Sequence, residues 1–417
     1  MRLVLFLCVL AWHQAAVAAT GRAEALFAAH AGAVVQVRVI DRASGDKSGI
    51  GSGFQVRADG LLATNFHVIA AFAHQPQRFR LEYLDRGGRP VPLELVDVDV
   101  VHDLALLRAP APLAVTLALG DAEPAQGESL YSLGNPLDLA MTIVEGSYNG
   151  NVTAARFRKL LFSAALNPGM SGGPALDATG AVVGVNVARA GEQIGFLVPV
   201  YFLGQLLARH TDARRQALGV QERIAEALLA DQERYFADLL AQAWETQSFG
   251  GFRVPGRVSP TLRCWGGSSD RTGLRYEHVV QECSSQDSIF IDDALQTGAL
   301  RYEFHRFASR ELNSVQFYGL LAGNYGHGEH YNAGDKEQVG NFRCREDFVR
   351  GSGLDWRVSF CARRYKRYAG LFDLSVVMAS TDLLQRGLVV RLGIDGISEA
   401  RSREMLRRFI EVIEWTP

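Results

Sequence analysis

Short apolar runs broken by turn pairs such as Asp59-Gly60, Gly87-Gly88 and Thr179-Gly180 fill the chain from about residue 34 to residue 200. Many short strands with turn signals between them predict a barrel or a sandwich. A short helix over Ala23 to His30 leads into the first strand, Val34 to Ile40, and a helix over Tyr201 to Arg209 closes the region. The period then changes. Val220, Ile224, Ala227, Leu228, Tyr235, Leu239 and Ala243 recur at helical spacing, with Glu222, Arg223, Glu226, Glu233 and Arg234 between them, which predicts an amphipathic helix. The charged stretch Ala213 to Gly219 before it is a candidate boundary. From Phe252 the pattern returns to strands. A last helix, Arg401 to Ile413, has Met405, Phe409 and Ile413 on one face.

The first residues depart from this scheme. Arg2, the apolar run Leu3 to Trp12 and then Ala16-Val17-Ala18 read as a secretory leader cleaved near Ala18 or Ala19. The run is too short to be retained as a membrane-spanning helix, and no later segment is long and apolar enough. The expected organisation is therefore a leader over 1–19, a β domain over 20–210, a helical connector over 211–251 and an α+β domain over 252–417.

At 417 residues the chain has room for two or three cores. Lys and Arg total 43 against 45 Asp and Glu, a net charge of −2. Nothing global then points to nucleic acid. Export would place the mature chain where disulfides persist. Cys8 would leave with the leader; Cys264, Cys283, Cys344 and Cys361 remain, all in the last third. Arg263-Cys264, Gly273-Leu274-Arg275-Tyr276 and Cys283 are echoed by Arg343-Cys344, Gly353-Leu354-Asp355-Trp356 and Cys361, a possible duplication. The ends of a hairpin meet, so Cys264–Cys283 and Cys344–Cys361 are the expected pairs among the three possible connectivities.

Candidate chemistry lies in three stretches: Thr64-Asn65-Phe66-His67-Val68, His102-Asp103-Leu104-Ala105-Leu106-Leu107 and Asn167-Pro168-Gly169-Met170-Ser171-Gly172-Gly173-Pro174. A serine hydroxyl is inert until a base takes its proton, and a carboxylate must hold that base in the right tautomer. Ser171 is the expected nucleophile, His67 the base and Asp103 the orienting acid. The glycine-rich turn can aim the N–H groups of Gly169 and Ser171 at one point, as an oxyanion hole requires. Rivals exist. His102 directly precedes Asp103, and on a strand the two would face opposite ways; His74 lies in a polar, solvated stretch. Asp97 and Asp99 are alternative acids with less apolar sequence after them.

These residues resemble the HtrA/Deg group of trypsin-like serine proteases. Gly51-Ser52-Gly53-Phe54 with Asp59-Gly60, Leu133-Gly134-Asn135-Pro136, Asp177-Ala178-Thr179-Gly180, Val183-Gly184-Val185-Asn186 and Ile194-Gly195-Phe196 extend the likeness over roughly residues 22 to 205. The resemblance implies two six-stranded barrels with the site in the cleft between them. It departs at Met170, where the group has Asn, and at Ala164, where many members are acidic; no PDZ domain is recognised. Met170 cannot form the ion pair that activates zymogen-type relatives, so no activating cut is expected beyond leader removal. By resemblance the primary pocket is walled by Ala165, Leu166 and Asn167, by Val187, Ala188 and Arg189, and by Ile194, Gly195 and Phe196. Ala165 stands where trypsin has its pocket-base Asp, so small aliphatic residues are expected before the cleaved bond. An extended substrate would pair along Val187-Ala188-Arg189.

Two other motifs are read as structural. His327-Gly328-Glu329-His330 has metal-ligand residue types but lies in the glycine-rich run Gly323 to Gly334, and no third ligand stands at a telling spacing. Arg363-Arg364-Tyr365-Lys366-Arg367-Tyr368 reads as a solvated strand or an anionic surface contact rather than a nucleic-acid site. No phosphate loop or dinucleotide fingerprint is present, and neither metal nor cofactor is expected. The reading is an exported serine endopeptidase, periplasmic or secreted, acting on exposed or unfolded protein through an acyl-enzyme at Ser171. Its rivals are a catalytically idle protease fold used for binding or as a chaperone, and a protease restrained by, or recruited through, its last domain.

Overall fold

The computed structural model describes residues 21–416 except 190–192, 270–272, 329–333 and 352. The leader assigned to 1–19 lies outside the described residues. Backbone contacts divide the chain into two units, one of residues up to 152 with 158–223, the other of 153–157 with 224–417.

The first unit opens with helix α1 (residues 21–30). Strands β1 (Val34–Asp41), β2 (Lys47–Arg57) and β3 (Leu61–Thr64) follow, then helix α2 (Phe66–His74), β4 (Phe79–Leu84), β5 (Pro90–Pro92), β6 (Glu94–Asp99) and β7 (Leu104–Arg108). They form one antiparallel sheet in the order β5-β4-β1-β2-β3-β7-β6. The next six are β8 (Ser129–Gly134), β9 (Thr142–Asn151), β10 (Leu160–Ser163), β11 (Pro174–Leu176), β12 (Val182–Arg189) and β13 (Gly195–Pro199). These close into a barrel in the order β10-β13-β12-β11-β8-β9.

One barrel of six strands is therefore present, but its expected twin is a seven-stranded sheet. The seventh strand is β5, bounded by Pro90 and Pro92; proline has no N–H to offer a further neighbour, so β5 forms an edge. Phe54, Leu61, Leu104, Leu106, Leu133, Leu176, Val185 and Leu203 are buried in one cluster that joins sheet and barrel. Leu130, Phe162, Leu166, Met170, Ala175 and Leu197 fill the barrel interior. Helices α3 (Val200–Arg209) and α4 (Ala213–Gln216) follow the last strand. Helix α5 (Val220–Ala241) leaves the first unit after Arg223.

The second unit continues α5, then adds β14 (Thr246–Ser248), β15 (Phe252–Pro255), β16 (Leu262–Ser269), β17 (Glu277–Ser285), β18 (Ile289–Phe290), β19 (Gln296–Thr297) and β20 (Leu300–Ala308). Helix α6 (Ser314–Asn324) precedes β21 (Arg343–Gly351), β22 (Leu354–Arg364), β23 (Phe372–Ser380), β24 (Arg386–Ile397), α7 (Glu399–Glu411) and β25 (Glu414–Trp415). Seven strands pair in the order β16-β17-β20-β24-β23-β22-β21. Met405, Phe409 and Ile413 face the core of this unit with Phe236, Leu239, Tyr302 and Phe304.

Both expected disulfides are present, Cys264–Cys283 and Cys344–Cys361. Each joins directly opposed residues of an edge strand and its neighbour. The run Arg363 to Tyr368 is solvated only in part, at Arg364, Lys366 and Arg367. Arg363, Tyr365 and Tyr368 are buried, and Arg363 pairs with Asp373 at 2.7 Å while the Tyr365 hydroxyl donates to the same carboxylate at 2.7 Å. A buried carboxylate needs such partners, and strand alternation turns these side chains inward to supply them.

Glu303, on β20, gives this unit an acid-sensitive element. The bond from His305 most of all, and then Arg391, hold its carboxyl down from 4.5 to about 2 against the opposing effect of burial. A carboxyl whose folded pKa lies below its unfolded value stabilises fully above the unfolded value and loses that contribution as the pH falls through the folded one. Glu303→Gln is therefore expected to flatten the fall in melting temperature between pH 4.5 and about 2, read by thermal unfolding across that range. An unchanged acid limb would refute it.

Candidate active site

Helix α2 starts one residue before His67, and the turn ahead of β7 sets what faces it. Asn65 stands at the N-cap position of α2, yet its side chain does not cap the helix. Its Nδ2 donates to the Asp103 carbonyl at 2.8 Å, and the Phe66 N–H donates to the same oxygen at 3.2 Å. Asp103 has φ of +56°, a left-handed conformation that aspartate tolerates better than most residues. There its carboxylate turns back onto α2. Oδ1 accepts the His67 backbone N–H at 2.8 Å, and Oδ2 lies 2.7 Å from His67 Nδ1. The carboxylate thus grips both the backbone and the ring, which directs the second ring nitrogen, Nε2, away from the acid.

The rivals are engaged elsewhere. His102 and Asp103 sit in a turn before β7, not on the strand, so alternation is not what separates them. His102 Nδ1 instead meets Asp99 at 2.9 Å and its ring stacks on Phe202. Burial opposes ionisation of Asp99, but the bond from His102 and the charge of Arg209, 2.7 Å away, outweigh it and keep the carboxyl below its ordinary range. Asp97, also buried, pairs with Arg215 at 2.6 Å and Arg223 at 3.0 Å. His74 is not simply solvated either: it packs edge-on to Phe66 and lies 3.2 Å from Gln221 Nε2.

Ser171 sits in a turn whose glycines are there for space. A Cβ at Gly172 (φ +84°) would lie 2.2 Å from the Ser52 carbonyl oxygen, 2.3 Å from Thr64 Oγ1 and 3.0 Å from the Asn65 nitrogen. Backbone alone therefore fits between the serine and the segment that carries His67. Gly51 touches both sides of the same seam: a Cβ there would meet Val68 at 2.5 Å and the Ser171 carbonyl oxygen at 3.0 Å. The Ser52 N–H donates to that oxygen at 2.7 Å. Gly172→Ala is expected to cost more than about 4 kcal/mol of stability or to prevent folding, read by denaturant unfolding. A cost below about 1 kcal/mol would mean the turn is looser than this geometry.

The peptide groups of the turn are oriented by the neighbouring loop. Pro168 presents its carbonyl to the Leu137 N–H at 2.8 Å. The N–H of a trans peptide points opposite to its carbonyl, so the Gly169 N–H faces away from that loop. Leu137 reaches this position at φ +53°, an uncommon conformation for leucine. Among the described residues, neither the Gly169 nor the Ser171 N–H donates to a protein acceptor. The Ser171 hydroxyl itself donates to the Val187 carbonyl at 3.1 Å.

Several supporting residues carried no role in the sequence reading, although each lay inside a stretch it singled out. Ser52 Oγ donates to the Gly169 carbonyl at 2.7 Å and accepts the Asn135 N–H at 3.0 Å. Thr64 Oγ1 donates to the Ser52 carbonyl at 2.7 Å. Asn186 accepts the Gly172 N–H at its carbonyl, 2.8 Å away, and its side chain reaches the Leu133 and Met170 carbonyls at 3.3 Å. Met170 is fully buried in the barrel core, where a polar residue would need a partner. Of the expected pocket residues, Leu166 turns into that core and packs on Gly195, where a Cβ would lie 2.7 Å from it. Ala165 faces outward and is exposed. Ala188 and Arg189 lie on β12, which pairs with β13 through Ala188↔Phe196 and Arg189↔Gly195.

One other group has metal-ligand residue types: His327, Cys344 and Cys361, whose donor atoms lie within 4.8 Å of one another. Both sulfurs are spent in the disulfide. Glu329 and His330 of the same sequence motif lie outside the described residues. A cavity of about 1100 Å³ in the first unit lies between the end of α2, the β4–β6 strands and Gly219–Glu222; none of the triad candidates lines it. No helix among the described residues is long and apolar enough to cross a membrane.

Residues 51–185 match the family described as a trypsin-like peptidase domain. The chain is 31% identical over 175 residues to serine protease HTRA2, mitochondrial, from Drosophila ananassae, covering 40% of this chain and 40% of that protein. The protein of the same name from Drosophila willistoni is likewise 31% identical over 175 residues, with 40% and 39% covered. The match thus spans about two fifths of these relatives' length. Among solved structures, a serine endoprotease from Yersinia pestis is 25% identical with a TM-score of 0.40, over 46% of this chain and 68% of that one.

Proposed function

We propose, from the match of residues 51–185 to the trypsin-like peptidase domain and the likeness to the HTRA2 proteases, that the chain is a serine endopeptidase acting on exposed or unfolded protein segments. The observation that carries this reading is the Asp103–His67 couple, 2.7 Å apart, on a segment against which the Gly172 backbone is seated. Ser171 Oγ attacks the carbonyl carbon of the scissile peptide as His67 Nε2 takes its proton. For this the hydroxyl must trade the Val187 carbonyl for the imidazole. Asp103 holds the ring proton on Nδ1 and stabilises the imidazolium that forms. The oxygen of the tetrahedral intermediate settles on the Gly169 and Ser171 N–H groups, each worth about 3–4 kcal/mol of barrier. His67 then returns the proton to the leaving amine, and water hydrolyses the acyl-enzyme by the reverse sequence.

The strand Val187-Ala188-Arg189 is the proposed docking edge for an extended substrate. The segments proposed to wall the primary pocket, Ala165 to Asn167 and Gly195, carry no carboxylate, and Leu166 turns into the core against Gly195, which favours Val, Ala or Ile before the cleaved bond. Export to the periplasm or beyond is part of the same proposal. Two measurements test it on the full chain. A fluorophosphonate probe is expected to label Ser171 stoichiometrically, and peptide-library profiling is expected to return small aliphatic residues at the primary position. Absence of labelling would favour an idle, binding-only fold, and a preference for Lys or Arg would overturn the pocket assignment.

A further inference from the structure

We propose that Cys344 is a thiol-exchange site: a small thiol attacks its sulfur, opens the Cys344–Cys361 disulfide and leaves a mixed disulfide on Cys344, with His327 stabilising the Cys361 thiolate. The second unit contains its own control, because its two disulfides share the same frame. Each joins an edge strand to its inner neighbour with Cα atoms 4.0 Å apart. What surrounds the sulfurs differs.

Cys344, Cys361 and Ser375 lie in one row across β21, β22 and β23, each opposite the next. Ser359 stands two residues before Cys361 on the same face of β22. His327 lies over this row. Its Nδ1 is 2.8 Å from Ser375 Oγ, and its Nε2 is 2.9 Å from Ser359 Oγ and 3.2 Å from Cys361 Sγ. Both hydroxyls are buried. When Ser375 donates to Nδ1, the ring proton lies on Nε2, within reach of both Ser359 Oγ and the Cys361 sulfur. Around Cys264–Cys283 no imidazole stands within hydrogen-bond reach of either sulfur among the described residues, and Cys283 is packed in the apolar core.

Exposure sets the direction of attack. Cys344 is exposed, whereas Cys361 is 3% exposed. An external thiolate therefore reaches Sγ of Cys344. A new S–S bond forms there as the Cys344–Cys361 bond breaks, and the electron pair leaves on Cys361 Sγ. The incoming thiol is oxidised to the mixed disulfide and Cys361 is reduced. Exchange runs faster when the leaving thiol is the better leaving group, and a neighbouring imidazole N–H lowers a thiol's pKa. His327 is thus a positioning residue for the released thiolate, and the reaction does not depend on the peptidase reading.

The test uses the full chain in graded reduced glutathione, quenched by alkylation and mapped by mass spectrometry. Cys344–Cys361 is expected to open at least about tenfold faster than Cys264–Cys283, with glutathione on Cys344 and the alkyl label on Cys361. His327→Ala is expected to slow that opening at least about fivefold and leave the other pair unchanged. The Cys264–Cys283 rate reports folding in the same molecules, and Ser375→Ala, which frees the ring to change tautomer, is expected to slow the same bond partially. Equal rates for the two disulfides, glutathione found on Cys361, or a His327→Ala rate equal to that of the parent chain would each overturn the proposal.

Discussion

Ser171→Ala is expected to lower peptidase activity on an unstructured protein by at least about 10⁴-fold while the chain stays folded. The size follows from what is lost. Without the hydroxyl there is no covalent route, and the amides of the turn can only stabilise attack by water. The fold should barely notice, because the Ser171 side chain contributes one part-buried hydrogen bond, to Val187 at 3.1 Å, worth about 1 kcal/mol. Activity is measured beside thermal unfolding, so a folding defect is separated from a chemical one. A well-folded Ser171→Ala chain that still degrades the substrate would move the nucleophile elsewhere and sink the mechanism.

The second large effect is expected at Asp103. Asp103→Asn should lower kcat by about 10⁴-fold with KM changed far less. The carboxylate accepts from the His67 backbone N–H at 2.8 Å and from its ring at 2.7 Å. An amide at this position keeps the first bond through its carbonyl and turns its NH₂ to the ring. Nδ1 must then accept, which moves the ring proton to Nε2 and removes the base from the side that faces the serine. Raising the pH should restore little, since the fault is the tautomer and not the total charge. Loss of less than about tenfold would make Asp103 a structural anchor of α2.

The site was legible to different degrees, and the reasons are physical. Residue type and chain order single out His67, Asp103 and Ser171, and in the structure the Asp103 carboxylate contacts the backbone and ring of His67. Strand alternation is not what separates His102 from Asp103, because Asp103 enters the left-handed region and the pair occupies a turn. What removes His102 from contention is Asp99, backed by Arg209, a residue more than a hundred positions away in the chain. Ser52 and Asn186 were equally out of reach, because their work is to bind carbonyls and N–H groups of distant segments. Arg363 looked solvated for the complementary reason: a charged residue on a strand is read as exposed unless its buried partner, here Asp373, is known.

By itself, the sequence determined what is local: the change from strand to helical period at Val220, the chain order of the three triad candidates, and the hairpin pairing of each cysteine with the neighbour its turn returns to. Those features depend on spacing along the chain. The closing of one barrel against an open seven-stranded sheet, the ion pairs that occupy Asp97 and Asp99, the inward turn of Leu166 and the placing of His327 over one disulfide and not the other were decided only in three dimensions. Each depends on which distant backbone or side-chain partner satisfies a buried polar group or fills a core, and no spacing rule encodes that choice.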